Sequence, residues 1–461
     1  MFGVKKDLAI HFIGIGGIGM SGIAGVLVDL GYNVSGSDLS QSANVIKLEG
    51  KGVKVYIGHK KENVEKAQLI IYSSAIDATN PEVIKAKEIG IPIIKRAEML
   101  AELMRLKFGI AVAGSHGKTT TTSFLSTIFK TMDLKPTCIV GGIVKNLGGH
   151  AVHGESDYLI AEADESDGSF LFLNPIMSII TNIDNDHMDF YKNEENIQVA
   201  FKEFANKIPF YGCLVLNMND PNSVKLTSNL RRIHIGFGVQ RKDELFDYTA
   251  TAISYSEEGS EFTVIHKGKS YKVSISLSGE HNVQNALAAI ALSSEAGLDL
   301  GEATKAISKF EGVSRRFESL YHSENMCVID DYGHHPTELL ATISTAKVRF
   351  PKKKIIAIFE PHRFTRTKEF WDEFVFCFED VESVVIAPIY AASESDIEDI
   401  NSDNLVKDIN RKYSNASLLT NWNMLQDIFK QNKDEKIVIL SMGAGSISKA
   451  TREQVDMWNK S

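Results

Sequence analysis

Cysteine is scarce in this chain, and there is no excess of positive charge. The 461 residues include four cysteines, which lie far apart and form no Cys-x-x-Cys pair: Cys138, Cys213, Cys327 and Cys377. This spacing argues against a disulfide framework or a zinc site and favours a reducing cytoplasm. The formal net charge of −9 argues against a broad nucleic-acid-binding surface, although it leaves room for local basic pockets.

An uninterrupted hydrophobic segment is also missing near the start of the chain. The apolar run Leu8–Val28 follows Lys5 and Lys6, which is the order found in a signal peptide. However, the run contains His11 and six glycines, and it ends at Asp29 without a small-residue cleavage site. We therefore expect neither a secretory nor a membrane segment here.

Length and composition predict a globular protein of several domains. At about 100–200 residues per domain, 461 residues predict three domains. The chain is 43% hydrophobic and 24% charged, and it contains no internal repeats or low-complexity tracts. These values are ordinary for a globular protein.

The most informative stretch leads from an apolar strand into a Gly-Lys-Thr loop. Residues 110–113 read as a buried parallel strand, and a helix-compatible segment covers residues 123–131. The candidate triphosphate-binding residues between them are Gly114, Ser115, His116, Gly117, Lys118, Thr119 and Thr120. In such a loop the backbone N–H groups and the lysine hold phosphates, and the threonine hydroxyl ligates Mg²⁺. Val112 stands where the full pattern has its first glycine, so the loop is a shortened form; the alternative is a plain turn with a solvated lysine.

The N-terminal region carries a second glycine pattern. A strand at Ala9–Ile13 precedes Gly14-x-Gly16-x-x-Gly19, and a helix is predicted from Ile18 to Leu30. Asp38 ends the next predicted strand, about 20 residues after the last glycine, where an acid would bind a ribose hydroxyl. The pattern specifies a diphosphate nucleotide, so NAD, FAD and a UDP-linked sugar remain open at this point. Close packing of helix on strand is the structural alternative.

Two acidic clusters follow apolar runs in the second region. Residues 158–161 lead into the acidic run 162–167, and residues 177–182 lead into a second run, 184–189. Ligands of open α/β sheets collect at the carboxyl ends of strands, so both clusters should lie beside Lys118. Carboxylate oxygens suit Mg²⁺, and His187 is a candidate ligand of a second metal ion. A solvated loop is the alternative for each run.

The remainder of the chain predicts a hairpin, a long helix and a further α/β domain. Alternating residues around Lys267-Gly268-Lys269 predict the hairpin, and the segment from Gly279 predicts a helix to about Glu295, with Asn282 as its cap. Strands are expected at residues 328–329, 355–359, 384–387 and 437–440. The predicted domains cover residues 1–107, 108–312 and 313–461.

Two arginines of the last region, Arg363 and Arg366, are candidates for binding a carboxylate or phosphate together, and a solvated surface pair is the alternative.

Taken together, these motifs resemble the Mur ligases of peptidoglycan synthesis over essentially the whole chain. The stretches that carry the resemblance are Gly14–Ser21, Gly114–Thr121, Glu162–Phe170, Asp186–Asp189 and Pro361–Thr367. The resemblance implies three α/β domains: a Rossmann-like UDP-sugar domain, a central P-loop ATPase-type domain with a small antiparallel β section, and a Rossmann-like C-terminal domain that closes over ATP and carries the amino acid. It also implies a cytoplasmic bacterial enzyme.

The resemblance further implies roles for individual residues. Lys118 is similar to the family's phosphate-binding lysine, Thr119 and Glu162 to its magnesium ligands, and His187 to a residue at the second metal; Glu165 is the alternative to Glu162. Further implied contacts are Asn285 and Arg316 for ATP, His334, Arg363 and Arg366 for the reacting centre and the amino acid, and Gly14, Gly16, Gly17, Gly19, Ser37, Asp38 and Ser73 for the UDP-sugar. Nothing in the sequence singles out a carbamylated lysine.

The implied reaction uses ATP and Mg²⁺ to join L-alanine to the lactyl carboxylate of UDP-N-acetylmuramate through an acyl phosphate. The expected partners are these two substrates, with no nucleic acid and no membrane; the chain could be a monomer or a homodimer.

Two other functions fit the motifs less well. A dehydrogenase would leave the Gly-Lys-Thr loop and the acidic clusters without a purpose, and a nucleotide switch would need no UDP-type domain. A ligase that recycles a preformed tripeptide onto the same sugar is the remaining alternative.

Overall fold

Three β-sheets flanked by helices give the three-domain α/β architecture expected from the sequence. The computed structural model describes residues 8–73, 75–228, 230–242, 244–392 and 394–460, without the side chain of Asp189. Lys5, Lys6 and Ser74 therefore lie outside the described residues. The chain forms two compact units: one holds the chain up to Ala252 with Phe262–Ser274 and Val283–Glu311, and the other holds Ile253–Glu261, Ile275–Asn282 and the chain from Gly312. Within the described ranges, no helix combines the length and apolar character needed to cross a membrane.

The first sheet has five parallel strands in the order β3-β2-β1-β4-β5. Its strands are β1 (Ala9–Ile13), β2 (Asn33–Asp38), β3 (Lys54–Ile57), β4 (Leu69–Tyr72) and β5 (Ile93–Lys95), and its helices are α1 (Ile18–Asp29), α2 (Ala43–Gly50), α3 (Pro81–Glu88) and α4 (Arg96–Arg105). The strand order reverses between β1 and β4. The carboxyl end of β1 is therefore a topological switch point, where open α/β sheets bind ligands.

The second sheet has ten strands in the order β15-β14-β13-β12-β11-β10-β6-β9-β7-β8. Its strands are β6 (Phe108–Ala113), β7 (Thr137–Val144), β8 (Gly149–Val152), β9 (Tyr158–Glu162), β10 (Met177–Ile180), β11 (Cys213–Asn217), β12 (His234–Val239), β13 (Tyr248–Ser256), β14 (Gly259–His266) and β15 (Lys269–Ile275). The helices of this region are α5 (Lys118–Thr131), α6 (Met188–Tyr191), α7 (Glu194–Asn206), α8 (Pro221–Thr227), α9 (Glu280–Glu295) and α10 (Leu300–Ala306). Strand β6 runs parallel to β9 and β10 on either side of it. These two neighbours lead into the two acidic runs, which places both runs beside the Gly-Lys-Thr loop.

The third sheet has six strands in the order β16-β17-β21-β18-β19-β20. Its strands are β16 (Glu318–His322), β17 (Met326–Asp331), β18 (Lys354–Phe359), β19 (Ser383–Ile386), β20 (Ala416–Leu418) and β21 (Ile437–Met442). Its helices are α11 (Pro336–Arg349), α12 (Phe364–Glu369), α13 (Trp371–Phe376), α14 (Ser402–Lys412), α15 (Met424–Gln431) and α16 (Ile447–Trp458). Only β16 is antiparallel to its neighbour in the described sheet. The fully buried rings of Phe359, Phe374 and Phe378 pack between this sheet and its helices.

Two local predictions from the sequence are wrong. Helix α5 begins at Lys118 rather than near Ser123, and the four threonines 119–122 form its first turns. Threonine has a low intrinsic helix propensity, but all four side chains are buried, so tertiary packing decides the local structure. Asn282 does not cap helix α9, which begins two residues earlier; its backbone N–H donates to Gly279 O at 3.0 Å and its side chain to Ser278 O at 2.8 Å.

Candidate active site

The loop after β6 is held tight by two glycines. Gly114 has a φ of +133° and Gly117 a φ of +81°, in the left-handed half of backbone space that side chains disfavour. A Cβ at Gly114 would collide with the hydroxyl of Thr181, and one at Gly117 would lie 2.5 Å from Asn285 Oδ1. The loop backbone thus lies directly against both side chains, and Asn285 on α9 lies at the start of α5.

Lys118 follows Gly117 in this loop, and its side chain is 15% exposed. Its Nζ donates to two loop carbonyls at 2.7 and 3.1 Å and to Glu165 Oε1 at 2.8 Å. Burial lowers the pKa of Lys118, but the negative charges of Glu165, Asp164 and Glu162 outweigh it, so the pKa lies above its ordinary value. The ammonium therefore stays charged, as binding of a phosphate requires.

Thr119 and Glu162 form a pair of oxygen donors beside the lysine. The Thr119 hydroxyl donates to Glu162 Oε1 at 2.9 Å, and the backbone N–H of Gly141 donates to Glu162 Oε2 at 2.7 Å. A hydroxyl next to a carboxylate at the first turn of a phosphate-binding helix is a donor set that suits Mg²⁺. Glu162 is thereby paired with Thr119, whereas Glu165 is paired with Lys118.

Glu165 and His187 form a second group that fits a cation. His187 Nε2 lies 3.6 Å from Glu165 Oε1 and 3.5 Å from Asp186 Oδ2. Burial lowers the pKa of His187, but the hydrogen bond and charge of Glu165 and the charge of Asp186 raise it overall. Glu165 Oε2 is buried and has no hydrogen-bond partner among the described residues. An unpaired buried carboxylate oxygen next to an imidazole can accept a divalent ion.

The loop is also bonded to the segment that follows β10. Ser115 N–H donates to the carbonyl of Asn182 at 3.1 Å, and His116 N–H donates to the side-chain oxygen of Asn182 at 2.9 Å. The His116 ring nitrogen Nε2 lies 2.9 Å from Asp184 Oδ2. Thr120 is buried in the first turn of α5. Asn182 is not among the site residues predicted from the sequence, although it lies at the end of a predicted central strand, where ligand-binding residues collect.

The glycine pattern in the first sheet forms a loop tied to an acid. Gly14 has a φ of +79°, and Gly16 N–H donates to Asp38 Oδ2 at 2.8 Å. A Cβ on Gly16 would lie 2.9 Å from the same oxygen. Gly17 is the N-cap residue of α1, and Gly19 lies in its first turn. The bond to Asp38 positions the loop in front of the N-terminus of α1, and a helix N-terminus is a place where an anion such as a diphosphate can bind.

The two serines predicted near this site lie in different environments. Ser37 is fully buried; its hydroxyl donates to Glu82 Oε2 at 2.5 Å and lies 3.0 Å from His59 Nδ1. Its carbonyl accepts two N–H groups of the glycine loop, at 2.8 and 3.0 Å, so Ser37 supports the loop through its backbone. Ser73 follows β4, and its Cβ would lie 3.8 Å from a Cβ on Gly14. A substrate contact for either serine stays a prediction.

In the C-terminal unit, Arg316 and His334 share two partners. His334 N–H donates to Glu338 Oε2 at 3.0 Å, and its Nδ1 lies 3.0 Å from Tyr332 O. The Arg316 guanidinium lies over the Tyr332 ring, 5.1 Å from its centroid, and 3.9 Å from Glu338 Oε1.

A cationic group surrounds His362 in the same unit. Burial lowers the pKa of His362 to about 4, and the positive charges of His334, Arg366 and Arg363 act in the same direction. Arg363 is exposed, with φ +70° and ψ 137°, and its N–H donates to Tyr390 O at 2.8 Å. Arg366 is half-buried on α12. The structure therefore brings both arginines and His334 together around one neutral imidazole.

Comparison with known proteins agrees with this organisation. Three family models match in order: Mur ligase family, catalytic domain (residues 9–108), Mur ligase middle domain (residues 112–293) and Mur ligase, glutamate ligase domain (residues 315–445). The UDP-N-acetylmuramate–L-alanine ligases of Aquifex aeolicus and Persephonella marina are 43% identical over 444 residues (96% of each chain) and 44% identical over 457 residues (98% of this chain, 97% of the relative).

Solved structures of related ligases share the fold of this chain over nearly its whole length. A UDP-N-acetylmuramate–alanine ligase from Thermotoga maritima superposes with a TM-score of 0.83 at 30% identity, covering 98% of this chain and 99% of that one. A murein peptide ligase from Psychrobacter arcticus shares the fold, with a TM-score of 0.71 at 23% identity over 97% and 98% of the two chains. With the phosphate loop, the acidic runs and the glycine loop placed as described, the chain belongs to the Mur ligase family.

Proposed function

We propose that this chain is an ATP-dependent ligase that joins L-alanine to the lactyl carboxylate of UDP-N-acetylmuramate, forming ADP and phosphate. Relatives at 43–44% identity over nearly the whole chain carry this activity in their names. The observation that carries the proposal is the arrangement around Lys118. A charged lysine and two carboxylates line one phosphate loop, and a separate diphosphate-type loop lies in the first sheet.

The chemistry explains why two nucleotide sites are needed. A carboxylate does not condense with an amine in water, because oxide is a very poor leaving group. Transfer of the γ-phosphoryl group of ATP to the lactyl oxygen gives an acyl phosphate and ADP. The neutral α-amine of alanine then attacks the acyl carbon, and the tetrahedral intermediate expels phosphate as the amide forms.

The residues around the phosphate loop act mainly through position and charge. Lys118 holds the transferring phosphoryl group and balances its negative charge, which is the main protein contribution to phosphoryl transfer. Thr119 and Glu162 would hold one Mg²⁺, and Glu165 with His187 a second divalent ion. Bound there, the metal would neutralise the charge on the β- and γ-phosphate oxygens. ATP dependence is a property of the Mur ligase family, and Mg²⁺ is the ion that these oxygen donors fit.

The cationic group of the C-terminal unit suits the second substrate. Arg363 and Arg366 carry planar guanidinium groups that bind a carboxylate or a phosphate by two parallel hydrogen bonds. We assign them to the alanine carboxylate or the departing phosphate, and Arg316 with Asn285 to ATP. A cytoplasmic location stays a prediction.

The decisive experiment measures phosphate release with UDP-N-acetylmuramate, ATP and Mg²⁺ against L-alanine, glycine, L-serine and a murein tripeptide. We expect the highest kcat/KM with L-alanine. Preference for the tripeptide would instead support a recycling ligase, whose fold is the same. Omitting either the UDP-sugar or Mg²⁺ should abolish phosphate release, and steady release without the sugar would contradict the proposed reaction.

A further inference from the structure

The first residue of helix α4 lies at the edge of the first sheet where ligands bind. Arg96 follows β5 directly, so it occupies the same carboxyl edge as the glycine loop after β1. A Cβ on Gly19 would lie 3.1 Å from both Cδ and Nη1 of Arg96. The arginine side chain therefore lies against the first turn of α1. Gly19, the third glycine of the Gly14-x-Gly16-x-x-Gly19 pattern, thus leaves room for a charged side chain beside the first turn of α1.

Few protein groups are available to this guanidinium. The Arg96 side chain is 24% exposed, and within the described part of the chain the structure records one ion pair for it, with Nη2 3.6 Å from Asp164 Oδ2. That distance is longer than a hydrogen bond. An arginine carries five N–H donors, and largely buried donors are normally paired. Arg96 thus keeps donor capacity for an anion from outside the protein.

Asp164 connects this arginine to the phosphate loop. It belongs to the acidic run after β9, and its negative charge contributes to the raised pKa of Lys118. Burial raises the pKa of Asp164 itself, but Lys118 and Arg96 together with hydrogen bonds from Ser166 hold it below the usual value. Arg96 therefore lies against the first turn of α1 on one side and beside Asp164 on the other, and the charge of Asp164 acts on Lys118.

We propose that Arg96 binds the lactyl carboxylate of the UDP-sugar and holds it toward Lys118 for phosphorylation. This inference rests on the proposed function. The N-terminus of α1 suits the diphosphate, which leaves the carboxylate as the second anionic group of that substrate. This carboxylate has to reach the γ-phosphate at Lys118. A guanidinium matches it with two parallel hydrogen bonds, so Arg96 is a substrate-binding residue that no motif in the sequence identifies.

Calorimetric binding to the full chain tests the assignment with two probes. UDP-N-acetylmuramate carries the carboxylate, whereas UDP-N-acetylglucosamine has the same nucleotide, diphosphate and acetamido sugar without it. The variant Arg96→Met keeps an apolar stem against Gly19 and removes the donors. Arg96→Lys keeps the charge but loses the paired geometry. The matched control is Arg105→Met at the other end of α4, where the exposed arginine pairs with Glu102.

We expect Arg96→Met to weaken binding of UDP-N-acetylmuramate about tenfold or more, the range of a charge-assisted hydrogen bond, and to leave binding of UDP-N-acetylglucosamine within about twofold. Arg96→Lys should fall between wild type and Arg96→Met, and Arg105→Met should bind like wild type. Equal losses for both probes would assign Arg96 to the diphosphate and overturn the inference, and so would unchanged binding of both. Wild-type binding of UDP-N-acetylmuramate tests the proposed function separately, because it does not depend on any Arg96 variant.

Discussion

Lys118 and the buried Glu165 form an ion pair, with Nζ 2.8 Å from Oε1, at the point where the Gly-Lys-Thr loop meets the acidic run after β9. The same carboxylate oxygen lies 3.6 Å from His187. One glutamate thus connects Lys118, the proposed phosphate-binding lysine, with the histidine of the second acidic run. The neighbouring Glu162 is bonded to Thr119 instead. The two acids are close in sequence but pair with different groups, and this difference can be tested.

Replacing Lys118 by alanine should nearly abolish amide formation. In the proposed mechanism the lysine provides charge that the transferring phosphoryl group needs, whereas the proposed UDP-sugar site lies in the first sheet. Phosphate release should fall by far more than tenfold, and a tenfold change corresponds to about 1.4 kcal/mol of barrier. Calorimetric binding of UDP-N-acetylmuramate should be roughly unchanged. The control is Lys130→Ala, an exposed lysine in the last turn of the same helix; retention of turnover within about tenfold in Lys118→Ala would refute the loop assignment.

Glu162→Gln and Glu165→Gln should give different defects. Glu162→Gln removes the charge of the proposed Mg²⁺ ligand, so the Mg²⁺ concentration for half-maximal phosphate release should rise about tenfold or more. Glu165→Gln removes the charged partner of a buried ammonium, which is strongly destabilising, so its melting temperature should fall further than that of Glu162→Gln. A magnesium titration and thermal unfolding of both variants separate the two roles. The reverse pattern would identify Glu165 as the principal ligand of the metal at Thr119.

The sequence predicted the order of the central elements well because that order follows from strong local signals. Apolar runs ending in glycine or acid identified β6, β9 and β10, and parallel pairing then placed the acidic runs beside Lys118. The start of α5 was mispredicted because threonines disfavour a helix until burial outweighs propensity. Ser37 illustrates a second limit. The family resemblance implied a substrate contact for Ser37, which stays a prediction. The sequence could not predict that its hydroxyl is bonded to Glu82, because Glu82 is 45 residues away in sequence and belongs to no motif.

Gly16→Ala should weaken binding of the UDP-sugar far more than binding of ATP. The added Cβ would lie 2.9 Å from Asp38 Oδ2, so the loop must shift away from the position that its bond to Asp38 fixes. Gly25→Ala in the same region is the matched control, because its Cβ would meet only Leu48 at 3.9 Å. In mid-helix it should stabilise the chain by up to about 1 kcal/mol. Calorimetry with both nucleotides measures the effect, and a larger loss for ATP than for UDP-N-acetylmuramate would show that the two loops have been assigned the wrong way round.

His362 should make folding stability sensitive to acid. Its pKa is about 4 in the folded chain, below the ordinary 6.5, so the unfolded chain binds the proton more readily. The unfolding free energy should therefore decrease as the pH falls from about 6.5 towards 4. In His362→Gln the melting temperature should decrease less over this interval than in wild type. His234→Gln, an exposed histidine on β12, is the control, and an identical pH dependence in His362→Gln and wild type would contradict the depressed pKa.

Arg363 combines an exposed charge with an unfavourable backbone. Its φ of +70° with ψ of 137° is a combination that non-glycine residues adopt at a cost of about 1–3 kcal/mol, usually where surrounding structure imposes it. Arg363→Gly removes that cost, so it should leave the melting temperature unchanged or raise it. It also removes the guanidinium, so the KM for alanine should rise, or turnover fall, about tenfold or more.

The conservative variants Arg363→Lys and Arg366→Lys separate geometry from charge. Both should fold normally and still lose an order of magnitude or more in turnover or in alanine KM, because a lysine cannot form the paired hydrogen bonds of a guanidinium. Binding of UDP-N-acetylmuramate should change little, since its proposed site lies in the first sheet. Steady-state kinetics at subsaturating alanine is the sensitive measurement. If Arg363→Gly is more stable and all three variants retain wild-type kinetics, the arginines are solvated surface residues, and the strain at Arg363 has no role in alanine binding.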